Sequence, residues 1–288
     1  MSNSLFRKKS ISELIAATQG EKALKKELGS FDLTMLGIGA IIGTGIFVLT
    51  GTGAVTAGPG LVLSFVIAGL ACLFAALSYA EFASTVPVSG SVYTFTYASM
   101  GEFLAFIIGW DLILEYMLAA SAVSAGWSGY FVSFLNGIGV HIPVELTAAP
   151  GGLKGHVTYF NLPAFIILMV ITFLLYFGIK ESKRVNNIMV IMKIAVILLF
   201  ILVAVKYVKP ENWTPFVPFG TSGVLSAAAL VFFAFIGFDA VASAAEETKN
   251  PSRNLPRGII TSLLICTLLY VVVSAIMTGI VPFMNFEG

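Results

Sequence analysis

Seven long apolar stretches dominate this chain and constrain its fold more than any other feature. Each holds about 20 residues or more, the length that an α-helix needs to cross the hydrocarbon core of a bilayer. Inside lipid the backbone N–H and C=O groups must bond to one another, so isolated apolar stretches of this length form helices. The sequence therefore predicts an all-α integral membrane protein. The stretches cover about 31–56, 60–84, 100–126, 160–179, 187–207, 222–245 and 258–282.

The composition supports this class and argues against several others. Of the 288 residues 58% are hydrophobic and 11% are charged, whereas soluble domains carry about 25% charged residues. The net charge of +1 shows no excess of basic residues of the kind that binds nucleic acid. The two cysteines, Cys72 and Cys266, both lie in apolar stretches, which excludes a disulfide framework and argues against a zinc site.

Lysine and arginine are distributed unevenly among the connections between the stretches. With a cytoplasmic N-terminus, twelve of them fall in cytoplasmic segments and three in outer connections. Because cytoplasmic loops carry the excess of cations, this distribution places the N-terminus inside. We predict a multi-pass protein of the cell membrane with Gly288 outside, and we expect it to be the front part of a longer protein. The three outer cations are Lys154, Lys206 and Lys209.

We divide the chain into three segments. Residues 1–30 form a basic arm in which Ser10–Glu13 has the spacing of a capping box. The arm is either an amphipathic helix on the cytoplasmic surface or a disordered basic tail. Residues 31–207 hold helices 1–5, the first repeat, and residues 208–288 hold helices 6 and 7, the start of a second, incomplete repeat. The apolar stripe of the arm would be Ile11, Leu14, Ile15, Leu24 and Leu28.

The first stretch contains four glycines in nine positions, within Gly37–Phe47. Inside a helix each glycine costs about 1 kcal/mol relative to alanine. One interpretation is close packing, since small residues let helices approach in lipid. The other is a broken helix whose second half begins near Gly43 and presents the N–H groups of Thr44 and Gly45 to an anion such as a carboxylate. Carbonyls around Ile41, at the end of the first half, would suit an ammonium group.

The sixth stretch is interrupted in a similar way. Within Phe233–Asp239, a glycine and a carboxylate stand inside an apolar run. Glycine-interrupted segments at matching positions of two halves are the pattern that marks the binding site of a transporter. Stretches one and six match if five helices form one repeat. The second interruption therefore favours the broken-helix interpretation of the first.

Ionisable residues inside apolar stretches are costly and are functional by default. Glu115 lies about mid-way along the third stretch, with Asp111 one turn earlier on the same face. Lys193 is the only ionisable residue of the segment 188–205. Its ammonium group either snorkels to the cytoplasmic interface or is buried against carbonyls of the broken first helix. In the buried case desolvation disfavours the charged form, so Lys193 could replace a coupling cation and move protons.

The sequence offers little for catalysis. His141 and His156 both fall in the outer connection 135–159, which argues against a metal site or a histidine dyad within the membrane. There is no Gly-Lys-Thr phosphate loop and no His-Glu-x-x-His motif. We therefore predict that the protein is not an enzyme and that it needs no cofactor or metal.

The order of short motifs resembles that of amino acid permeases. Gly37–Phe47 is followed by AGPG at Ala57–Gly60, YAEFA at Tyr79–Ala83 and PVSGSVY at Pro87–Tyr93. The segment EETKNPSRNLPR at Glu246–Arg257 is the most specific of these motifs. From about residue 28 to 282 the chain is similar to the amino acid–polyamine–organocation superfamily, most closely to bacterial relatives of the cationic amino acid transporters.

The resemblance implies a fold and a backbone site. The fold would be a leucine-transporter-like bundle, an inverted five-plus-five helix repeat with helices 1 and 6 broken, here truncated after helix 7. In such a site, amides matching Thr44 and Gly45 bind the carboxylate of the substrate. The carbonyls that bind its α-ammonium group match Ile41, Phe233, Ala234 and Ile236.

The resemblance also implies roles for three side chains. In some members a lysine at the position of Lys193 is linked to proton coupling without sodium. Glu115 is similar to an acid of the third helix that faces the substrate side chain in cationic members. Phe235 corresponds to an aromatic region that gates the site.

We predict a secondary active transporter that moves cationic or broad-range L-amino acids by proton-coupled symport. The partners would be the L-amino acid, protons and the lipid bilayer, without nucleic acid. An amino acid exchanger is the nearest alternative. A channel or receptor-like membrane protein is another, but the sequence contains no ladder of pore-lining polar residues and no filter loop. The third alternative is a protein fragment that only binds partners and has no activity of its own.

Overall fold

The structure, a computed structural model, describes residues 6–18, 24–153, 155–176 and 183–286. Within these ranges the regular elements are α-helices and short 3₁₀ segments, with two isolated β-bridges and no strand. The α-helices are α1 (Ile11–Ala17), α2 (Ser30–Ile41), α3 (Val48–Ala57), α4 (Leu61–Thr85), α5 (Ser91–Ser99), α6 (Glu102–Gly137), α7 (Leu162–Tyr176), α8 (Lys183–Ala204), α9 (Gly220–Val231), α10 (Ala240–Ser243) and α11 (Pro251–Ile280).

Each of the seven predicted apolar stretches contains helix. Among the described residues five helical segments are long and apolar enough to cross a membrane, and two further apolar helices are shorter. The prediction of an all-α integral membrane protein is confirmed at this level. The five long segments are Thr44–Thr85, Glu102–Gly137, Asn186–Tyr207, Gly220–Ser243 and Pro251–Ile280, and the shorter two are Ser30–Ile41 and Leu162–Phe173.

Packing divides the chain into two compact units. The first comprises Met1–Trp110 and Ser182–Gly288, and the second comprises Asp111–Glu181. Both interrupted helices belong to the first unit. Within the second unit the hydroxyl group of Ser128 donates to the side-chain oxygen of Asn161 at 2.7 Å. These two units are defined by packing and not by internal repeats. The predicted segments 1–30, 31–207 and 208–288 therefore stay a prediction.

Helix α11 lies at the centre of the first unit, where it packs against α4 and α2. Gly258, Ser262, Cys266 and Tyr270 follow one another at intervals of four residues, and all four are buried. Residues at this spacing share one face of a helix. A Cβ atom added to Gly37 of α2 would collide with the side chain of Ser262. Small residues on this face therefore let α2 and α11 approach closely.

The N-terminal arm contains one short α-helix among its described residues, α1 at Ile11–Ala17. Leu14 and Ile15 of α1 pack against the core, whereas Ile11 is 42% exposed. The predicted capping box is wrong, because the Ser10 hydroxyl makes no cap bond and lies 2.5 Å from that of Ser12. Residues 19–23 of the arm lie outside the described residues.

Candidate functional site

The first apolar helix is interrupted directly after Ile41. There α2 ends, Ile42 is extended with φ −76° and ψ 100°, and a 3₁₀ turn covers Thr44–Ile46. Helix α3 begins at Val48, so the second half starts later than the predicted position near Gly43. The break leaves the last carbonyls of α2 without partners in their own helix. The broken-helix interpretation of this stretch is confirmed.

The sixth apolar helix is interrupted as well. Helix α9 gives way to a 3₁₀ segment at Phe232–Phe235, and Ile236 is extended with φ −56° and ψ 135°. Gly237 has a φ of +108°, which favours glycine. A Cβ atom on it would lie 3.0 Å from the carbonyl oxygen of Ala40. Gly237 therefore serves both the turn and the close approach of the first broken helix.

The two interruptions touch at Gly45 and Ala234. A Cβ atom added to Gly45 would lie 2.5 Å from the Cβ atom of Ala234 and 2.9 Å from its Cα atom. Both residues are buried. Since a backbone atom is among these neighbours, the position has no room for a larger residue. The structure thus brings together the two breaks that the sequence marked separately.

Tyr270 of α11 bridges the two breaks. Its hydroxyl oxygen lies 2.9 Å from the carbonyl oxygen of Ile41 and 2.8 Å from that of Ala234. The side chain is fully buried. A phenolic hydroxyl has one proton, so the two carbonyls share a single donor.

Tyr270 was not among the site residues predicted from the sequence. The available signal was a tyrosine within an apolar stretch, on the same helical face as Ser262 and Cys266. A buried tyrosine hydroxyl needs a hydrogen-bond partner, and an interrupted helix is where free carbonyls occur. That reasoning indicates a partner but does not identify which carbonyl it is.

Lys193 of α8 contacts the end of the first broken helix. Its ammonium nitrogen lies 3.1 Å from the carbonyl oxygen of Gly39 and 2.6 Å from that of Ile42. The residue is half-buried. Of the two alternatives, the structure shows the contact with the broken helix rather than snorkelling. A cation at the C-terminal end of α2 also complements the helix dipole.

The residues predicted to form the site divide into exposed or half-buried ones and buried ones. Gly43 is exposed, and Thr44, Phe233 and Ile236 are half-buried. Thr44 opens the 3₁₀ turn, so its N–H group has no acceptor within that turn. The buried members are Ile41, Gly45, Ala234 and Phe235.

Phe235 lies in an aromatic cluster of the core. It is fully buried, with its ring centroid 5.2 Å from that of Tyr270 and 6.4 Å from that of Phe65. It belongs to the packing that supports Tyr270 in this state. A role for Phe235 in gating stays a prediction.

Glu115 and Asp111 lie on α6 within the second unit. Their roles toward a substrate therefore stay predictions. Among the residues that the structure describes, no group of three or more histidine, cysteine, aspartate or glutamate side chains could hold a metal ion.

Comparison with known proteins identifies the family. The model of the amino acid permease family matches residues 28–287, so the chain belongs to that family. The resemblance drawn from the motifs is confirmed, and the chain is a multi-pass membrane protein of the permease class.

Three relatives illustrate the breadth of the similarity. The chain is 78% identical over 288 residues to a branched-chain amino acid permease of Bacillus subtilis, covering 100% of this chain and 62% of the relative. It is 57% identical over 282 residues to a methylthioribose transporter of the same species, covering 98% and 60%. It is 41% identical over 273 residues to the human cationic amino acid transporter 4, covering 93% and 43%. The chain thus spans about 60% of the length of the first two relatives.

Proposed function

We propose that this chain carries the substrate site of a secondary active amino acid transporter of the cell membrane, with its N-terminus in the cytoplasm. The observation that carries the proposal is the contact between the two broken helices at Gly45 and Ala234. Around this contact, backbone N–H and C=O groups are released from helical bonding. Such groups are suited to the two charges that all α-amino acids share.

The carboxylate of the substrate would bind at the start of the 3₁₀ turn. The amides of Thr44 and Gly45 are the first two of that turn, and Gly43 beside them is exposed. N–H groups at the start of a helical turn lack acceptors within the turn and can donate hydrogen bonds to an anion.

The α-ammonium group would bind the carbonyls of both breaks. The carbonyls of Ile41 and Ala234 share the one hydroxyl proton of Tyr270, and each carbonyl oxygen has two lone pairs. The ammonium group would use these lone pairs together with the carbonyls of Phe233 and Ile236. In this arrangement the substrate and Tyr270 hold the same two breaks together.

Branched-chain L-amino acids are the first substrates to test. The relative that is 78% identical is named a branched-chain amino acid permease, which supports this class over the cationic one predicted from the sequence. Cationic amino acids remain the second candidate because Glu115 lies within an apolar helix and because the human relative is named a cationic amino acid transporter.

Proton coupling would act through Lys193. Protonated, its ammonium group makes charge-assisted hydrogen bonds to the carbonyls of Gly39 and Ile42, and such bonds are roughly twice as strong as neutral ones. Loss of the proton would weaken the hold of α8 on the end of α2. Protonation would thereby bias a two-state element.

Uptake into proteoliposomes tests the proposal. We expect an inward proton gradient to drive accumulation of leucine, isoleucine or valine, with arginine, lysine and methylthioribose tested in parallel. Isoamylamine, which is leucine without its carboxylate, should fail to compete because it cannot engage the amides of Thr44 and Gly45. Equal competition by leucine and isoamylamine would contradict the carboxylate site. Uptake that needs internal amino acid rather than a proton gradient would favour the exchanger.

A further inference from the structure

Main-chain hydrogen bonds join the segment before α2 to the segment after α10. The amide of Leu28 donates to the carbonyl oxygen of Glu247 at 2.9 Å, and the amide of Lys249 donates back to the carbonyl oxygen of Leu28 at 2.9 Å. We call residues 27–28 and 245–249 the clasp. Leu28 lies two residues before α2 begins, so α2 cannot move away from α10 without disturbing the clasp.

A third part of the chain joins the clasp through a side chain. The carboxylate of Glu246 accepts a hydrogen bond from the amide of Ser89 at 3.0 Å, in the loop between α4 and α5. Thr248, at the middle of the clasp, is fully buried. The clasp therefore holds together three segments that are distant in sequence, at the N-terminal end of the first broken helix.

Weak polar contacts join the residues before α1 to α5 and to the start of α6. Arg7 pairs with Glu102 through a 3.1 Å contact between Nε and Oε2, and its carbonyl oxygen accepts a bond from the Glu102 amide at 3.0 Å. The ammonium nitrogen of Lys9 lies 5.0 Å from the ring centroid of Tyr97. Exposed ion pairs of this kind change an equilibrium by about two- to five-fold.

Helix α1 then runs from the ends of α4 and α5 to the clasp. Ile11 lines a cavity of about 360 Å³ together with residues at the ends of those two helices. Ile15 and Thr18, further along α1, line a second cavity of about 190 Å³ with Ala245 and Glu246 of the clasp. Helix α1 thus lines one cavity beside α4 and α5 and a second cavity beside the clasp.

We propose that residues 6–18 are a strap that keeps the clasp closed and so limits the opening of the first broken helix. The strap is held by exposed polar contacts at Arg7 and Lys9 and by the packing of Leu14 and Ile15 against the core, so the loss of one polar contact shifts its opening only modestly. Loss of the contacts at Arg7 and Lys9 would let α1 move away from the clasp. Water would then reach the buried residues of the clasp. The proposal goes beyond the transport function and does not depend on which substrate is carried.

The accessibility of a cysteine placed in the clasp tests the strap without any substrate. Thr248→Cys puts a small thiol at a fully buried position, and the native Cys72 and Cys266 are both buried as well. We expect Arg7→Gln to raise the alkylation rate at position 248 by about two- to five-fold. The matched control is Lys8→Gln, which removes the same charge from a side chain without an ion pair in the part of the chain that is described.

Two further measurements separate the strap from a general loss of structure. The exchange Arg7→Glu with Glu102→Arg should restore the slow rate, and added salt should raise the rate in the unmodified arm more than in Arg7→Gln. If Thr248→Cys does not fold, Ala245→Cys reports on the same buried segment. An unchanged rate in Arg7→Gln, or an equal rise in Lys8→Gln, would overturn the strap. Neither outcome involves transport, so a failure here is distinct from a failure of the proposed function.

Discussion

The hydroxyl group of Tyr270 lies 2.9 Å from the carbonyl oxygen of Ile41, 229 positions away in sequence. The same hydroxyl lies 2.8 Å from the carbonyl oxygen of Ala234. One buried side chain of α11 thus holds the interruptions of two separate helices in a fixed relation. The single proton of the Tyr270 hydroxyl is shared between two carbonyls that we assign to a substrate ammonium group.

Tyr270→Phe should lower the stability of the substrate-free protein. Removing the hydroxyl leaves buried carbonyls without this donor, and an unsatisfied buried acceptor costs about 1–3 kcal/mol. Saturating substrate should recover part of the loss, because its ammonium group can bond the same carbonyls. Apparent melting temperatures with and without leucine would measure both effects. Tyr159→Phe, at a side chain that is 67% exposed, is the control, and a deficit that substrate leaves unchanged would contradict the shared acceptors.

Lys193→Ala should abolish accumulation driven by a proton gradient while substrate binding persists. The substitution removes both hydrogen bonds to the end of α2 and with them the group that we propose to exchange protons. Uptake under an imposed gradient and equilibrium binding in detergent would be measured on the same preparation. Lys206→Ala, at an exposed lysine just beyond α8, is the matched control. Unchanged gradient-driven accumulation in Lys193→Ala would leave the lysine only a structural role.

Gly45→Ala should destabilise the contact between the breaks. The new methyl group would lie 2.5 Å from the Cβ atom of Ala234, and overpacking of this kind costs about 1–3 kcal/mol. Thermal stability and uptake should both fall, and adding Ala234→Gly should restore part of the loss. The control is Gly129→Ala in α6, where a Cβ atom meets nothing within 4 Å. That substitution should be neutral or stabilising by about 0.5–1 kcal/mol. Equal losses of stability from Gly45→Ala and Gly129→Ala would contradict a specific role for the contact between the breaks.

Glu115→Gln should weaken binding of arginine and lysine more than binding of leucine. A carboxylate in an apolar membrane helix is costly and is functional by default. The basic side chain of a substrate, or a proton, is a suitable partner for it. Competition assays with each amino acid would give the ratio of affinities. Asp111→Asn, one turn earlier on α6, tests whether the two acids share this role. A uniform loss across all substrates would instead indicate that Glu115 supports the fold.

Local properties of the chain explain what could be predicted from the sequence. Hydropathy over about 20 residues depends only on neighbours in sequence, and each predicted stretch is helical in the structure. Helix breaks also have local causes, because glycine weakens a helix wherever it stands. The glycines at 37–45 and at 237 therefore predicted both interruptions. The start of α3 at Val48 depends on how the 3₁₀ turn packs, and the sequence predicted it too early, near Gly43.

Only the tertiary structure could decide how these local features meet. Whether Lys193 snorkels or turns to the carbonyl groups of Gly39 and Ile42 depends on the position of α2 beside α8, 151 residues away in sequence. The partners of Tyr270 and the burial of Phe235 depend in the same way on the close approach of α2, α4 and α11. From its sequence alone this protein is a helical membrane permease with two interrupted helices. The contact between the interruptions, and the side chains that satisfy their carbonyl groups, result from packing between residues that no local pattern relates.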